Sequence, residues 1–197
     1  MLVSLVLGTV GFLLFLLYDI NSFTVKNRFL ERFFFIGCAF IAVPSIYQFV
    51  VACRNGELAL PDDLGWLILA AVSFAALIYC LFFALPFEKT YVDPKEGRSV
   101  YDGGVYALCR HPGVPCFFAF YLFLGMAVRP YPFLQYGLYL SVLNLLYVIF
   151  QDAVTFPKTF CNYADYRKYT PFMIPTKKSI CRSVETMKRE SRKENIQ

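Results

Sequence analysis

Five apolar stretches dominate this chain, and the segments between them are too short to form a separate soluble domain. Crossing the roughly 30 Å hydrocarbon core of a bilayer as a helix takes about 20 mostly apolar residues. The stretches are Leu2–Tyr18, Phe33–Cys53, Leu64–Phe87, Val114–Val128 and Tyr131–Phe150. The fourth is short, and the sequence Arg129-Pro130-Tyr131-Pro132 joins it to the fifth as a tight hairpin turn. With 58% hydrophobic and 17% charged residues, the composition excludes a disordered chain and argues against a soluble globule. The expected fold class is all-α, an integral membrane bundle of about five helices. The first stretch lacks a basic start and an A-x-A-like cleavage site, so it is expected to stay as a helix and not leave as a secretory signal. The seven cysteines show no CxxC or Cys/His cluster with zinc spacing, which predicts no metal and reduced thiols facing the cytosol.

Charge placement sets the expected orientation, because Lys and Arg in short loops stay cytoplasmic. Lys26, Arg28 and Arg32 follow the first stretch, Lys89, Lys95, Arg98 and Arg110 follow the third, and the tail beyond Phe150 holds the largest basic group. All but Arg54 and Arg129 of the 19 basic side chains then fall on one face, with the N-terminus outside and the C-terminus in the cytoplasm. The net charge of +5 therefore reads as a topology signal and not as a nucleic-acid footprint. The chain divides into residues 1–99 with three spans, 100–175 with the polar loop and hairpin, and a basic tail at 176–197, all one membrane domain. In that tail Ile180, Val184 and Met187 recur at the spacing of one helical face. Such a helix suits anionic headgroups, and a solvated tail that only enforces topology fits as well.

The chain's single histidine sits in the loop before the fourth stretch, in Gly104-Val105-Tyr106-Ala107-Leu108-Cys109-Arg110-His111-Pro112. Proline suits the first turn of a helix, so Arg110 and His111 are expected at its mouth, where unpaired N–H groups favour a carboxylate or phosphate. A basic pair at a membrane boundary is also the pattern of an interfacial anchor. The fifth stretch ends in Gln151 and Asp152, ahead of Pro157, which is expected to stop the helix. Asp152 lies five residues further from the Arg129 turn than His111, about 7 Å along a helix, which tilt absorbs. An acid and an Arg-His pair are thus expected to face one cleft, although a carboxylate at the bilayer edge also snorkels to water. Asn144 reads as an interhelical hydrogen-bonding residue, Trp66 as an interface anchor, and Cys38, Cys53, Cys80 and Cys116 as small buried apolar side chains. Tyr163, Tyr166 and Tyr169 are expected to pack the tail or sit at headgroup level.

Gly104-x-Tyr106-x-x-x-Arg110-His111-Pro112 resembles the G-x-Y-x-x-x-R-H-P signature of the isoprenylcysteine carboxyl methyltransferase and phospholipid methyltransferase superfamily. Phe160-Cys161-Asn162-Tyr163-Ala164-Asp165-Tyr166 and Thr170-Pro171-Phe172-Met173-Ile174-Pro175 are similar to that family's F-G-x-x-Y-x-x-Y and V-P-R-F-I-P ending. The resemblance covers Val100 to Pro175. It implies an integral membrane enzyme that uses S-adenosylmethionine, with Tyr106, Arg110, His111 and Pro112 holding the cofactor at the cytoplasmic surface. Asp152 corresponds to the first of the family's paired glutamates. The chain departs from the pattern at Ala153, Val114, Cys161 and Phe172, and one residue is missing before Tyr163.

The site residues expected on this basis are Gly104, Tyr106, Arg110, His111, Pro112, Gln151 and Asp152, with Arg110 and Asp152 closest to the chemistry. Methyl transfer from a sulfonium needs a nucleophile held in line with the S–CH3 bond, and positioning accounts for much of the rate. The expected function is methylation of a lipid or lipidated substrate that reaches the site from the bilayer, with no nucleic-acid partner. Two further readings stay open: a non-catalytic membrane binding protein derived from the family, motivated by the departures, and a membrane reductase using NADPH, because sterol reductases carry a similar R-H-P-x-Y.

Overall fold

In lipid every backbone polar group must be satisfied within its own segment, so long apolar runs become helices. A computed structural model describes residues 1–58, 60, 62–84, 92–93, 97–128 and 132–194. The elements are α1 (Leu2–Phe23), α2 (Arg28–Glu31), α3 (Phe33–Arg54), α4 (Leu64–Ile78), α5 (Val105–Leu108), α6 (Gly113–Ala127), α7 (Pro132–Phe150), α8 (Phe156–Thr159), α9 (Tyr163–Tyr169) and α10 (Lys177–Glu194). Single π-helical turns follow α4 at Tyr79–Phe83 and α7 at Gln151–Thr155. The two-residue strands β1 (Val92–Asp93) and β2 (Gly97–Arg98) pair antiparallel, Val92 opposite Arg98. Among the described residues the regular structure is helical apart from this pair, and Leu2–Phe23, Arg28–Arg54, Leu64–Phe83 and Pro132–Thr159 are long and apolar enough to cross a membrane. Helix α6, the expected fourth span, has 15 residues. That gives it a length of about 22 Å. Lys89, Lys95 and the Arg129-Pro130-Tyr131 turn lie outside the described residues.

Two expectations about helix ends are corrected. The first helix does not stop near Tyr18 but runs to Phe23, which brings Asp19 and Asn21 into it, both buried. Pro157 does not end the last long helix, which continues to Thr159. Proline removes one i→i−4 bond and crowds the carbonyl four residues back, and the π turn at Gln151–Thr155 widens the coil where that carbonyl lies.

The chain forms two compact units, Met1–Phe74 with Phe117–Thr155, and Ala75–Cys116 with Phe156–Gln197. The first is built on glycine contacts between helices, as lipid-embedded bundles require. A Cβ at Gly37 of α3 would stand 2.9 Å from the Gly11 carbonyl of α1, and one at Gly125 of α6 would stand 2.8 Å from the Leu134 backbone of α7. Phe12, Phe15, Ile41, Tyr136 and Leu140 fill the space between these helices. Tyr121 of α6 meets Phe133 and Tyr136, and Gly125 meets Leu134, so α6 and α7 pack antiparallel. Trp66 stacks on Phe123, while Cys53, expected buried, is exposed near the end of α3.

The second unit is held by its loops. Gly104 starts α5 with φ +54° and ψ −132°, a conformation that strains any side chain with a Cβ. The helix ends after one turn because the next amides are drawn elsewhere. Arg110 N–H donates to the Pro171 carbonyl at 2.9 Å and His111 N–H to the Phe172 carbonyl at 3.2 Å. Thr176 and Ser179 cap α10 reciprocally, each hydroxyl accepting the other's backbone N–H.

Candidate functional site

Five of the seven expected site residues, Gly104, Tyr106, Arg110, His111 and Pro112, lie in the second unit, and Gln151 and Asp152 lie in the first. Pro112 immediately precedes α6 and does not occupy its first turn. Pro115 occupies that turn instead, where a missing N–H costs nothing because the first amides of a helix have no intrahelical partner.

Segments widely separated in sequence converge in the second unit. With its helical partner Arg110 N–H turned toward Pro171, the Tyr106 carbonyl accepts the Tyr166 hydroxyl at 2.7 Å. The Tyr106 hydroxyl in turn donates to the Cys80 carbonyl at 2.8 Å, at the end of the Leu64–Phe83 span. The Val100 amide donates to Asn162 Oδ1 at 2.7 Å and the Cys161 amide to the Arg98 carbonyl at 3.0 Å. The loop carrying Tyr106 is thus tied both to Tyr166 of α9 and to the Pro171-Phe172 segment.

His111 is buried, its ring stacked on Phe156 at 5.6 Å between centroids and edge-on to Phe172 at 5.0 Å. Arg110 donates from Nη1 to the carbonyls of Thr170 at 2.8 Å and Arg167 at 3.3 Å, and its guanidinium lies 5.6 Å from the Phe172 ring. It borders a cleft of about 690 Å³ shared with Arg167, Lys168, Tyr169, Lys178 and Arg182. Lys168 pairs with Asp165 at 2.8 Å and Arg182 with Asp102, but among the described residues no carboxylate lines the cleft itself. Its chemistry therefore suits a carboxylate or phosphate and disfavours a cation. Burial pushes the Cys109 thiol up to about 11 and raises the Tyr106 and Tyr166 phenols, so all three are neutral donors at physiological pH. Cys161 is exposed, as is Tyr169, while Tyr163 and Tyr166 are buried.

In the first unit Asp152 is buried within the π turn and does not terminate the helix. Its neighbour Gln151 donates from Nε2 to Asp19 Oδ2 and to the Tyr147 hydroxyl, both at 2.9 Å. Asp19 is the group that sequence reasoning missed. A carboxylate one residue beyond an apolar run, followed by Asn21, was the available signal, because an acid inside a spanning helix needs a partner there. Among the described residues no group of three or more His, Cys, Asp or Glu side chains could hold a metal ion. No protein-family model matches the chain, and neither a curated protein nor a solved structure matches it significantly.

Proposed function

We propose that this chain is a membrane methyltransferase that uses S-adenosylmethionine and acts on a lipid or lipidated substrate at the cytoplasmic face, with α6 as a fifth, short span. The observation that carries the reading is the mutual bonding of the motif segments. Arg110 and His111 bond through their amides to Pro171 and Phe172, and Tyr106 accepts from Tyr166. These are the three elements on which the family resemblance rests.

The residues near Arg110 fit one part of the cofactor. Its carboxylate suits the cations of the cleft, Arg110 first among them, and the family resemblance alone assigns Asp152 to its ammonium and ribose. When bound, the cofactor supplies an electrophilic methyl group. The chain's task is to orient the acceptor and keep water away from it, so rigid placement matters more than covalent chemistry. The aromatic walls of Phe156 and Phe172 fix the His111 ring. An amine acceptor also has to lose a proton, and Asp152 is the carboxylate nominated to take it.

A second reading has a specific observation behind it. Arg110 spends donors on two main-chain carbonyls, which favours a binding protein whose motif serves the fold alone. Titration of S-adenosylmethionine into the purified full chain tests cofactor binding, and methyl transfer to a lipid separates the two readings. Saturable binding weakened by His111→Ala is expected, and Asp152→Asn, tested alongside, decides whether that carboxylate belongs to the site. No binding to folded protein overturns the proposal.

A further inference from the structure

Helix α10 packs with the wrong face for a helix in water. Ile180, Val184 and Met187 fall within about 60° of one another around its axis, forming one apolar stripe. They are 47%, 41% and 42% exposed, whereas Ser179 and Ser183 on the adjoining face are 1% and 3% exposed. The packed face is polar because it clasps the start of α5. Ser183 Oγ donates to the Gly104 carbonyl at 2.8 Å, the Gly104 amide donates to Thr186 Oγ1 at 3.0 Å, and Arg182 pairs with Asp102. The apolar stripe is thus held outward by bonds that fix the helix's rotation.

We propose that α10 is an interfacial helix that lays this stripe into an anionic lipid surface while its serine face braces the Gly104 turn. Two observations select a lipid surface as the occupant. The cations of α10 outnumber its three glutamates, Glu185, Glu190 and Glu194, by more than two to one, and Lys177 and Lys188 flank the stripe where their ammonium groups reach headgroups. The clasp also places α10 at the end of a span: it holds the Gly104 turn, and α5, which begins there, is bonded through Tyr106 to the Cys80 carbonyl in the last turn of Leu64–Phe83. A helix fixed beside the end of a membrane-spanning segment lies where an apolar stripe with basic flanks meets the acyl–headgroup boundary. The inference does not depend on methyl transfer.

The chain's single tryptophan makes the test direct. In a Trp66→Phe background, Val184→Trp reports the stripe and Arg189→Trp the far side of the helix, with Ile180→Trp as a second reporter of the stripe. Each full-length variant is placed in nanodiscs of brominated phosphatidylcholine with or without phosphatidylserine. With phosphatidylserine, the tryptophan at 184 is quenched and blue-shifted while that at 189 is not, and high salt reverses the effect. Lys177→Gln with Lys188→Gln weakens docking on the order of 25-fold, at about fivefold per cation. Three outcomes overturn the proposal: an unquenched tryptophan at 184 and at 180, equal quenching with and without phosphatidylserine, or quenching at 189 as strong as at 184. Added inorganic phosphate leaves the quenching unchanged if the occupant is a lipid surface, and a phosphate-driven shift in discs lacking phosphatidylserine overturns that assignment.

Discussion

Tyr166→Phe removes one oxygen and tests the bond that joins α9 to the signature loop. The Tyr106 carbonyl would ordinarily accept from the amide four residues on, but Arg110 N–H is committed to Pro171, so the Tyr166 hydroxyl at 2.7 Å is its partner. The phenylalanine ring keeps the apolar packing and leaves that partly buried carbonyl unbonded, a loss of about 1–2 kcal/mol. For a chain of this size that lowers the melting temperature by about 2–8 °C. Heating the detergent-purified protein with a thiol-reactive dye follows it in a Cys53→Ser, Cys161→Ser, Cys181→Ser background, where these exposed thiols are gone and the buried Cys109 becomes reactive as the second unit opens. Tyr169→Phe is the control, since Tyr169 is 66% exposed. A Tyr166→Phe protein that melts with wild type, or shifts no more than Tyr169→Phe, refutes the interlock.

Gly104→Ala puts a Cβ at φ +54°, and about 1–3 kcal/mol of backbone strain follows, read as faster hydrogen exchange in the first turn of α5 and in α10. Gln151→Leu removes the amide that donates to Asp19 and to the Tyr147 hydroxyl, leaving Tyr147 and Thr155 as the partners of Asp19, and costs about 1–3 kcal/mol, measured by thermal unfolding in detergent. Alkaline pH weakens the second unit. The Cys109 thiol is pushed up from 9.0 to about 11, so the unfolded chain loses this proton first. Stability is unaffected by this group below pH 9 and falls between pH 9 and 11, with Tyr106 and Tyr166 acting in the same direction at higher pH. A midpoint of unfolding that rises across pH 9–11 contradicts the burial of these groups.

The four helices long and apolar enough to cross a membrane were legible because a membrane imposes a length on apolar runs that composition reveals directly. Their ends were not. Asp19 was overlooked because a polar residue after Tyr18 looks like a boundary, whereas its bond to Gln151 comes from a helix more than a hundred residues away. Pro157 looked like a stop, and the π turn that accommodates it has no pattern of its own in the sequence. In the candidate site the residue types were legible, but their mutual bonding was not. Arg110 and His111 reach Pro171 and Phe172 through backbone atoms, which every residue possesses and no motif spells out. The i, i+4, i+7 spacing marked the apolar stripe of α10, but Ser179, Ser183 and Thr186 repeat that spacing one position earlier, and nothing in the pattern says which of the two faces packs.

The most direct test of methyl transfer is to incubate the purified full chain with methyl-labelled S-adenosylmethionine and a total membrane lipid extract, then follow the label. Label is expected in a lipid or lipidated product, reduced by His111→Ala, with NADPH neither replacing the cofactor nor being consumed. A folded protein that binds the cofactor but leaves every lipid unlabelled contradicts it and favours the non-catalytic reading.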